Sequence, residues 1–339
     1  MTYTISPDTP FRALVTRRTD DGTATRRIEE RRIGELPEGE VTIRVRYSSL
    51  NYKDALSASG RPGVTRRYPH QPGIDAAGEV VASRDDLFRP GDSVIVGGRD
   101  LGMNTAGGFG EYIRVPAEWV TRCPEGLSLR DAMALGTAGF TAAMAVDEIA
   151  RYRPPGEAEI LVTGASGGLG SIAVSILASS GYQVCAVTGK ADAAAYLTEL
   201  GAHRIIDRES AVDTSDRPLS SAVWAGVIDS VGGPILASAI RATMPDGIVT
   251  ACGNAASPDL PLTVFPFILR GIRLVGINSP ACPRERRDAL WNDLATRLRP
   301  PHLDRIARTI SLEELDEAVD AILAGDVRGR LVVAHRVDQ

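Results

Sequence analysis

A glycine-rich segment near the middle of the chain has the residue types and spacing of a phosphate-binding turn. Gly164, Gly167 and Gly170 follow a short apolar strand pattern at 159–163 and precede an apolar helix pattern at 171–180. Glycines at such a junction permit a tight turn and a close approach of the backbone to a pyrophosphate, which the next helix N-terminus stabilises. The spacing G-x-x-G-x-x-G departs from the strict G-x-G-x-x-G fingerprint, so a purely structural turn is the alternative. The residues of this turn predicted to bind a dinucleotide are Ser166, Gly167, Gly168 and Leu169.

The next strand pattern, at 183–188, indicates which dinucleotide is bound. Sheets that bind NAD usually carry Asp or Glu at the end of this strand, where it holds the ribose 2′-hydroxyl. Here the strand ends in Thr188, Gly189 and Lys190, which offer a hydroxyl and a positive charge to a 2′-phosphate. Arg204, which opens the third strand, is predicted to add a second cation at the same edge. We therefore predict NADPH rather than NADH, with a solvent-exposed loop lysine as the alternative.

The rarity of lysine in the chain supports a functional role for Lys190. Lys and Arg together number 38, yet Lys53 and Lys190 are the only lysines. Lysine is a compact point charge that is not interchangeable with arginine. Both lysines lie in motifs that point to a function. The alternative is that a bias in base composition left two lysines at these positions by chance.

The pattern of apolar residues along the chain changes near residue 128. Before it, alternating or short apolar runs at 41–47, 78–82, 92–97 and 109–115 are separated by Gly and Pro turns, a pattern typical of an all-β region. After it, two helical pieces meet at 136–139, and six strand patterns then alternate with helices, which predicts a doubly wound parallel sheet in an α/β protein. The last part of the chain has helix patterns at 284–298 and 312–323 and a strand pattern at 331–334.

Composition excludes several other classes. Apolar residues make up 43% and charged residues 24% of the 339 residues, which is the balance of a globular protein. The net charge of −5 gives no basic field for nucleic acid, and no run approaches the roughly 18 apolar residues of a membrane span. Four dispersed cysteines and a polar first segment favour a cytoplasmic protein with reduced thiols and no structural zinc.

Together these motifs resemble the zinc-independent, quinone-oxidoreductase-like branch of the medium-chain dehydrogenase/reductase superfamily, with the acryloyl-CoA reductase family as the nearest likeness. The resemblance covers nearly the whole chain and includes the glycine-rich turn. Its other segments are residues 48–54 (SSLNYKD), 72–78 (PGIDAAG), 136–141 (GTAGFT), 224–229 (WAGVID), 266–270 (PFILR) and 329–333 (GRLVV).

The resemblance implies a GroES-like β-barrel catalytic domain and a Rossmann cofactor domain. The barrel is expected at 1–128, completed by 281–339, and the Rossmann domain at 129–280, with the active site in the cleft between them. It also implies a homodimer built along the sixth-strand edge, near residues 266–277. Zinc-dependent relatives place Cys where Asn51 stands and a His-Glu pair at 73–75, so we expect no metal.

The same resemblance assigns the site residues. Tyr52 is expected to donate a hydrogen bond to cofactor or substrate, Asn51 to position it, and Lys53 to supply a charge oriented by Asp54; a structural tyrosine and a structural ion pair are the alternatives. Arg66 and Arg67 are candidates for CoA phosphates. The remaining predicted cofactor contacts are Thr137, Asn254, Ile268, Ser279 and Arg330.

These residues lead us to expect NADPH-dependent reduction of the α,β double bond of a short enoyl thioester, acryloyl-CoA to propanoyl-CoA. One alternative is an NADPH:quinone or general enone oxidoreductase. A further alternative, from another class, is a non-catalytic NADPH-binding protein. The intact Asn51–Asp54 segment disfavours this last alternative.

Overall fold

The computed structural model describes residues 5–336 except positions 21, 157 and 216. The strands of these residues are, in chain order, β1 (Pro10–Arg18), β2 (Ala24–Arg32), β3 (Val41–Leu50), β4 (Asp75–Ser83), β5 (Ser93–Gly97), β6 (Tyr112–Val115), β7 (Val120–Arg122), β8 (Ile160–Val162), β9 (Val184–Thr188), β10 (Arg204–Asp207), β11 (Trp224–Asp229), β12 (Thr243–Ala251), β13 (Arg273–Gly276), β14 (Ala307–Ser311) and β15 (Arg330–Ala334). The α-helices are α1 (Tyr52–Ala58), α2 (Leu129–Tyr152), α3 (Gly168–Ser179), α4 (Ala194–Glu199), α5 (Gly233–Arg241), α6 (Phe265–Arg270), α7 (Arg284–Ala295), α8 (Leu303–Ile306) and α9 (Leu315–Ala324).

The first of two compact units is mainly β-structure and comprises Met1–Thr137, Pro280–Ala295 and Ala307–Gln339. Its strands form a sheet in the order β14-β15-β3-β4-β5-β7, β6 pairs with β3, and β1 and β2 form a separate antiparallel pair. The period-two pattern of β3 sends alternate side chains such as Ile43 and Val45 into an apolar core. This unit therefore brings both halves of the chain into one sheet, since β15 pairs with β3.

The second unit comprises Ala138–Ser279 and Thr296–Ile306 and holds a six-stranded parallel sheet. The strand order β10-β9-β8-β11-β12-β13 reverses between β8 and β11, where a doubly wound sheet places its ligand at the carboxyl ends of the strands. Every residue of β8, β9 and β11 is buried, as expected for parallel strands covered on both faces. The glycine-rich turn follows β8 and therefore lies at this switch point.

The predicted fold class is confirmed, but some boundaries differ. The first unit extends to Thr137 instead of ending at 128, and residues 296–306, expected in the barrel domain, belong to the second unit. The helix pattern at 284–298 ends at Ala295. Sequence patterns missed the β1–β2 pair because β2, ATRRIEERR, is largely charged. Within the described ranges no helix is long and apolar enough to span a bilayer.

Candidate active site and cofactor site

The first site begins at the N-terminus of α1, where Asn51 precedes the helix. The Asn51 N–H donates to Asp54 Oδ2 at 2.8 Å, and the Asn51 side-chain amide donates to the same oxygen at 3.0 Å. Asp54 Oδ1 accepts the N–H of Ile74 at 2.7 Å. A carboxylate in the first turn also interacts favourably with the helix dipole. Asp54 thus joins the start of α1 to the loop before β4.

The carboxylate of Asp75, at the start of β4, is the centre of a buried hydrogen-bond network. Its Oδ2 accepts Ser49 Oγ at 2.7 Å, Asn51 Nδ2 at 2.8 Å and the Thr137 N–H at 2.9 Å. Its Oδ1 accepts Thr137 Oγ1 at 2.6 Å. Asp75 is 1% exposed, so these donors replace the water that the charge has lost. The network fixes Asn51 and Thr137, two predicted site residues, in one place.

Arg330 completes this network from β15. Its guanidinium donates to Ser49 Oγ at 2.7 Å, to Asn51 Oδ1 at 2.9 Å and to two backbone carbonyls, and it lies 3.8 Å from Asp75 Oδ2. Arg330 is only 3% exposed. The expectation that Arg330 reaches a cofactor phosphate is therefore wrong for this conformation, because its donors point into the unit and are satisfied there.

Gly136 makes room for the network. It breaks α2 with a left-handed φ of 51°, at the junction where two helical pieces were predicted. A Cβ at this position would lie 2.6 Å from both Asp75 Oδ2 and Ser49 Oγ and 2.7 Å from Arg330 Nη2. A side chain is excluded by backbone conformation and by space, since glycine alone adopts this region without cost.

The buried charges of this site shift one another's proton affinity. Burial raises the pKa of Asp54 to about 7, and the neighbouring charge of Asp75 raises it further. Burial lowers the pKa of Arg330, which the two carboxylates oppose. A buried carboxyl group with a raised pKa therefore lies close to a buried guanidinium with a lowered pKa.

Tyr52 and Lys53 point away from this network. Tyr52 is 45% exposed and Lys53 is exposed, whereas Asp54 is fully buried. Consecutive helix residues are about 100° apart around the axis, so Lys53 and Asp54 project in different directions. The expectation that Asp54 orients Lys53 is wrong, because the hydrogen bonds of Asp54 go to Asn51 and Ile74.

In the second unit the glycine-rich turn has the geometry of a cradle for phosphate. Gly164 is left-handed, and Gly167 precedes α3. A Cβ on Gly170 would lie 2.3 Å from the Gly164 carbonyl oxygen, so the backbone itself fills that space. The N–H groups of the first turn of α3, from Gly168, Leu169 and Gly170, lack acceptors within their own helix. An anion in front of this turn fits both features.

The turn is tied to the end of β9. Ser166 Oγ and Thr188 Oγ1 are 2.9 Å apart, and Thr188 Oγ1 also accepts the N–H of Lys190 at 3.1 Å. Gly189 is exposed and Lys190 half-buried. Four predicted cofactor-binding residues are thereby brought to one edge of the sheet.

Arg204 does not lie at this edge. It pairs in register with Cys185, whereas Asp207, at the other end of β10, pairs with Thr188. Arg204 instead contacts Glu159 through two hydrogen bonds, of 3.0 and 2.5 Å, and stacks on Trp224. The predicted second cation was placed wrongly, because in a parallel sheet the first residue of a strand lies at the edge opposite the ligand.

Sequence reasoning missed Arg208, which follows β10 at the correct edge. A Cβ on Gly189 would lie 2.6 Å from Arg208 Nε and 2.7 Å from its Cζ, so the exposed guanidinium packs directly on Gly189. The nearby carboxylate of Asp207 accepts the N–H of Ser210 at 2.7 Å. The signal was available in the sequence, since a cation just after the third strand lies beside the end of the second.

Asp229, which the sequence analysis does not single out, connects the glycine-rich turn to β11. The buried carboxylate of Asp229 accepts Thr163 Oγ1 at 2.6 Å and the Gly232 N–H at 2.8 Å. Ser230 Oγ donates to the Thr163 carbonyl at 3.1 Å. Burial raises the pKa of Asp229. The turn is thus fixed from both neighbouring strands.

The other predicted cofactor contacts are spread over the second unit. Asn254 is exposed after β12, with its Cα 3.4 Å from a Cβ built on Gly232. Ser279 accepts a hydrogen bond from Thr141 at 2.9 Å. Ile268, in α6, is 70% exposed. Their roles toward a cofactor stay predictions.

Comparison with known proteins places the chain among dehydrogenases. Residues 37–125 match the alcohol dehydrogenase GroES-like domain, and residues 168–295 match the zinc-binding dehydrogenase family. Acrylyl-CoA reductase AcuI of Ruegeria pomeroyi is 43% identical over 325 residues, 95% of this chain and 98% of the relative. The chain belongs to the medium-chain dehydrogenase/reductase family. Within this family it is also 44% identical, over 88% of the chain and 91% of the relative, to YhfP of Bacillus subtilis, designated a candidate quinone oxidoreductase.

Solved structures of this dehydrogenase family share the fold. The YhdH oxidoreductase of Salmonella enterica in complex with NADP has a TM-score of 0.92 and 42% identity, covering 96% of this chain and all of that one. B. subtilis YhfP with NAD bound has a TM-score of 0.93 and 41% identity, with 97% and 100% coverage. The chain is thus an oxidoreductase of the medium-chain family.

The zinc implied by one of the matched family names does not fit the residues present. Among the described residues, no group of three His, Cys, Asp or Glu side chains is arranged to hold a metal. The carboxylate of Asp75 is surrounded by N–H and O–H donors and by the Arg330 guanidinium, which are partners of an anion and would repel a cation. No catalytic step is therefore assigned to zinc.

Proposed function

We propose that this protein reduces the α,β double bond of a short enoyl thioester such as acryloyl-CoA, with NADPH as electron donor. The observation that carries the proposal is the joint geometry of the first site. An exposed tyrosine lies at the start of α1, and a buried network of Asn51, Asp75 and Arg330 fixes that helix end. Likeness to acrylyl-CoA reductases over nearly the whole chain supports the thioester as substrate.

NADPH is favoured by the charges at the end of β9. Lys190 and Arg208 lie beside Thr188, at the edge where a 2′-phosphate is bound in this fold. The first turn of α3 would hold the pyrophosphate. The NADP complex of the Salmonella relative supports this choice, and the NAD complex of B. subtilis YhfP makes the two cofactors a point to test.

The chemistry divides between cofactor and protein. When bound, NADPH would supply a hydride to the β-carbon of the thioester, and a proton would have to add to the α-carbon to complete the reduction. The negative charge that develops in between would lie on the thioester oxygen. Tyr52 is proposed to donate a hydrogen bond from its phenol O–H toward that oxygen or the cofactor. Asn51 and Thr137, held by Asp75, are proposed to orient the reacting partners.

A second candidate function is reduction of quinones or general enones, favoured by the likeness to YhfP. A spectrophotometric assay that follows NADPH oxidation with acryloyl-CoA, crotonoyl-CoA and a quinone distinguishes the two functions. We expect the highest kcat/KM for acryloyl-CoA with NADPH. Faster quinone turnover at equal concentration refutes the thioester proposal, and turnover with none of the three indicates a binding protein.

We further propose a homodimer in the cytoplasm. The apolar residues Val264, Ile268 and Leu269 of the α6 region are 61–70% exposed, and β13 ends the order of its sheet. An exposed apolar patch beside an open strand edge is typical of an interface. Sedimentation equilibrium of the wild type and of Leu269→Glu tests it, since the variant is expected to become monomeric.

A further inference from the structure

The buried carboxylate of Asp229, at the end of β11, has no step in the chemistry proposed above. Its side chain is 0% exposed. Burial raises the pKa of Asp229, and hydrogen bonds from the Thr163 side chain and from the backbone N–H groups of Gly232 and Val231 oppose this shift. The negative charge is therefore stabilised by neutral donors. Burial of a carboxylate is costly even when it is hydrogen-bonded, so a role in the function of the second unit is to be sought for it.

The two oxygens of Asp229 bind the two loops on either side of the switch point. Oδ1 accepts the hydroxyl of Thr163 at 2.6 Å, and Thr163 directly precedes the glycine-rich turn. Oδ2 accepts the N–H of Gly232 at 2.8 Å, and Gly232 directly precedes α5. The strand order reverses between β8 and β11, and the fold binds its ligand between the loops that follow these two strands. One carboxylate thus holds both loops at a fixed separation.

The Thr163 hydroxyl transmits the orientation of Asp229 to the glycine-rich turn. It donates to the carboxylate, which can only accept, and it accepts the N–H of Ser230 at 3.1 Å. Ser230 Oγ in turn donates to the Thr163 carbonyl at 3.1 Å. A Cβ on Gly164 would lie 2.5 Å from Ser230 Oγ, so the first glycine of the turn packs directly on this side chain. The direction of the Thr163 hydroxyl, and with it the start of the turn, therefore depends on the charge of Asp229.

A third loop is attached to the same segment of the chain. This is the loop after β12, which carries Asn254. The Cys252 N–H donates to the Asp229 carbonyl at 2.7 Å. The Ala255 N–H donates to the Ser230 carbonyl at 3.2 Å. Three loops at the carboxyl edge of the sheet therefore meet at the segment that holds the Asp229 side chain, and a change in this side chain is expected to displace them together.

We propose that Asp229 is a positioning residue for the dinucleotide. It acts through Thr163 and Gly232, and its charge holds the glycine-rich turn and the start of α5 in the arrangement that binds the pyrophosphate. The pyrophosphate is common to NADPH and NADH, so this role is independent of the contacts to the 2′-phosphate. The inference rests on the dinucleotide of the proposed function and names the residue that keeps its site ordered.

Titration with NADPH and with NADH, followed by the fluorescence of the reduced nicotinamide, tests the proposal. Asp229→Asn keeps one acceptor oxygen but turns an amide N–H₂ toward the donor of either Thr163 or Gly232. The Kd of this variant is expected to rise about tenfold for both dinucleotides, because hydrogen bonds to charged groups are the strong ones. The equal effect on both cofactors distinguishes this role from that of Lys190, whose replacement is expected to weaken NADPH selectively.

Two variants of Thr163 separate positioning from a purely structural role. Thr163→Val removes the hydroxyl but keeps the shape of the side chain, and it is expected to raise both Kd values about as much as Asp229→Asn. Thr163→Ser keeps the hydroxyl and is expected to restore the wild-type Kd values. In the double variant Asp229→Asn, Thr163→Val the two losses are expected not to add, since both substitutions remove the same hydrogen bond. The Thr163 pair carries the test by itself if Asp229→Asn does not fold.

Thr250→Val is the matched control. Thr250 is a buried threonine of the neighbouring strand β12, and its hydroxyl donates to the Val227 carbonyl at 3.0 Å. This variant is expected to lose stability in urea unfolding without a change in Kd for either dinucleotide. Unchanged Kd values in Asp229→Asn and Thr163→Val overturn the proposal. Weakening of NADPH alone, or equal weakening by Thr163→Ser and Thr163→Val, also overturns it.

These titrations contain no substrate, so their result is separate from the fate of the proposed function. Weaker binding of both dinucleotides by Asp229→Asn and Thr163→Val supports the positioning role even if acryloyl-CoA is not reduced. Reduction of acryloyl-CoA by the wild type, together with unchanged dinucleotide binding by these variants, supports the function and overturns the positioning role.

Discussion

Removal of the charge of Asp75 tests the physical basis of the first site most directly. Asp75 and Arg330 are 1% and 3% exposed, with 3.8 Å between carboxylate and guanidinium and Ser49 bonded to both. Asp75→Asn leaves the buried guanidinium with Asp54 as its only other carboxylate neighbour in the described network. It also turns an amide N–H₂ toward side chains that act as donors.

The size of the effect follows from these contacts. Removing one partner of a buried ion pair costs about 3–5 kcal/mol, because the other charge stays buried without compensation. Total stability of a domain is about 5–15 kcal/mol, so the variant remains folded but is far less stable. Arg330→Met is expected to cost a similar amount. In the double variant neither charge is stranded, and its loss is expected to fall short of the sum by about 2–3 kcal/mol.

Urea unfolding of the four proteins, followed by circular dichroism, gives this coupling energy. The protein has two units, so unfolding of the first unit is also followed by the fluorescence of Trp119 and Trp291, which both lie in it, after substitution of Trp224 of the second unit. A coupling energy under about 0.5 kcal/mol, within the additivity of independent sites, refutes the buried pair as the organising contact. Asp92→Asn is the control, since its arginine partner is exposed and its loss is expected to be small.

Four further outcomes follow from the same structure. Gly136→Ala is expected to destabilise the protein by about 2–5 kcal/mol in urea unfolding, from the left-handed φ and the overlap with the network. Because burial raises the pKa of Asp54 to about 7, the stability it contributes is complete below the unfolded pKa near 4 and is lost as pH rises through 7. The wild type should therefore lose stability from pH 4 to pH 7 relative to Asp54→Asn, and parallel curves for the two refute this. Lys190→Glu and Arg208→Gln are expected to raise KM for NADPH at least about tenfold more than KM for NADH, and equal effects on both reject the 2′-phosphate assignment. Tyr52→Phe is expected to lower kcat for acryloyl-CoA about 100-fold with an unchanged Tm, whereas an unchanged rate makes Tyr52 structural.

The parallel sheet was predictable because each of its strands gives a separate local signal in the sequence. Each strand from β8 to β13 is a short apolar run followed by a helix or a turn, and the sequence order determines the doubly wound topology. The break of α2 at Gly136 was also readable, since glycine in an alanine-rich helix pattern interrupts it. The hairpin β1–β2 was not, because burial of its few apolar residues against other parts of the unit outweighs its charged composition.

The cofactor edge shows where reasoning from spacing fails. Arg204 and Arg208 flank the same four-residue strand, and both carry the charge that the hypothesis required. Which of them faces the ligand depends on strand direction and not on proximity in sequence, and the rule that ligands bind at carboxyl ends selects Arg208. Arg204, at the amino end of β10, therefore lies at the opposite edge of the sheet.

The buried network could not be deduced from any motif, since its members come from β3, β4, α2 and β15 and meet only after both chain ends join one sheet. The sequence indicates Asn51 as a positioning residue, but nothing in it distinguishes Asp75, within the segment 72–78, as the carboxylate that holds Asn51. The physical requirement is charge balance. Burying the Arg330 guanidinium among neutral groups alone would cost too much free energy of folding, so a buried carboxylate has to lie near it. Asp75 meets this demand, and Asn51 can keep its amide oxygen toward Arg330 and its amide nitrogen toward Asp75 only while both charges are present. The orientation of Asn51, which precedes Tyr52, thus depends on the ion pair between Asp75 of β4 and Arg330 of β15.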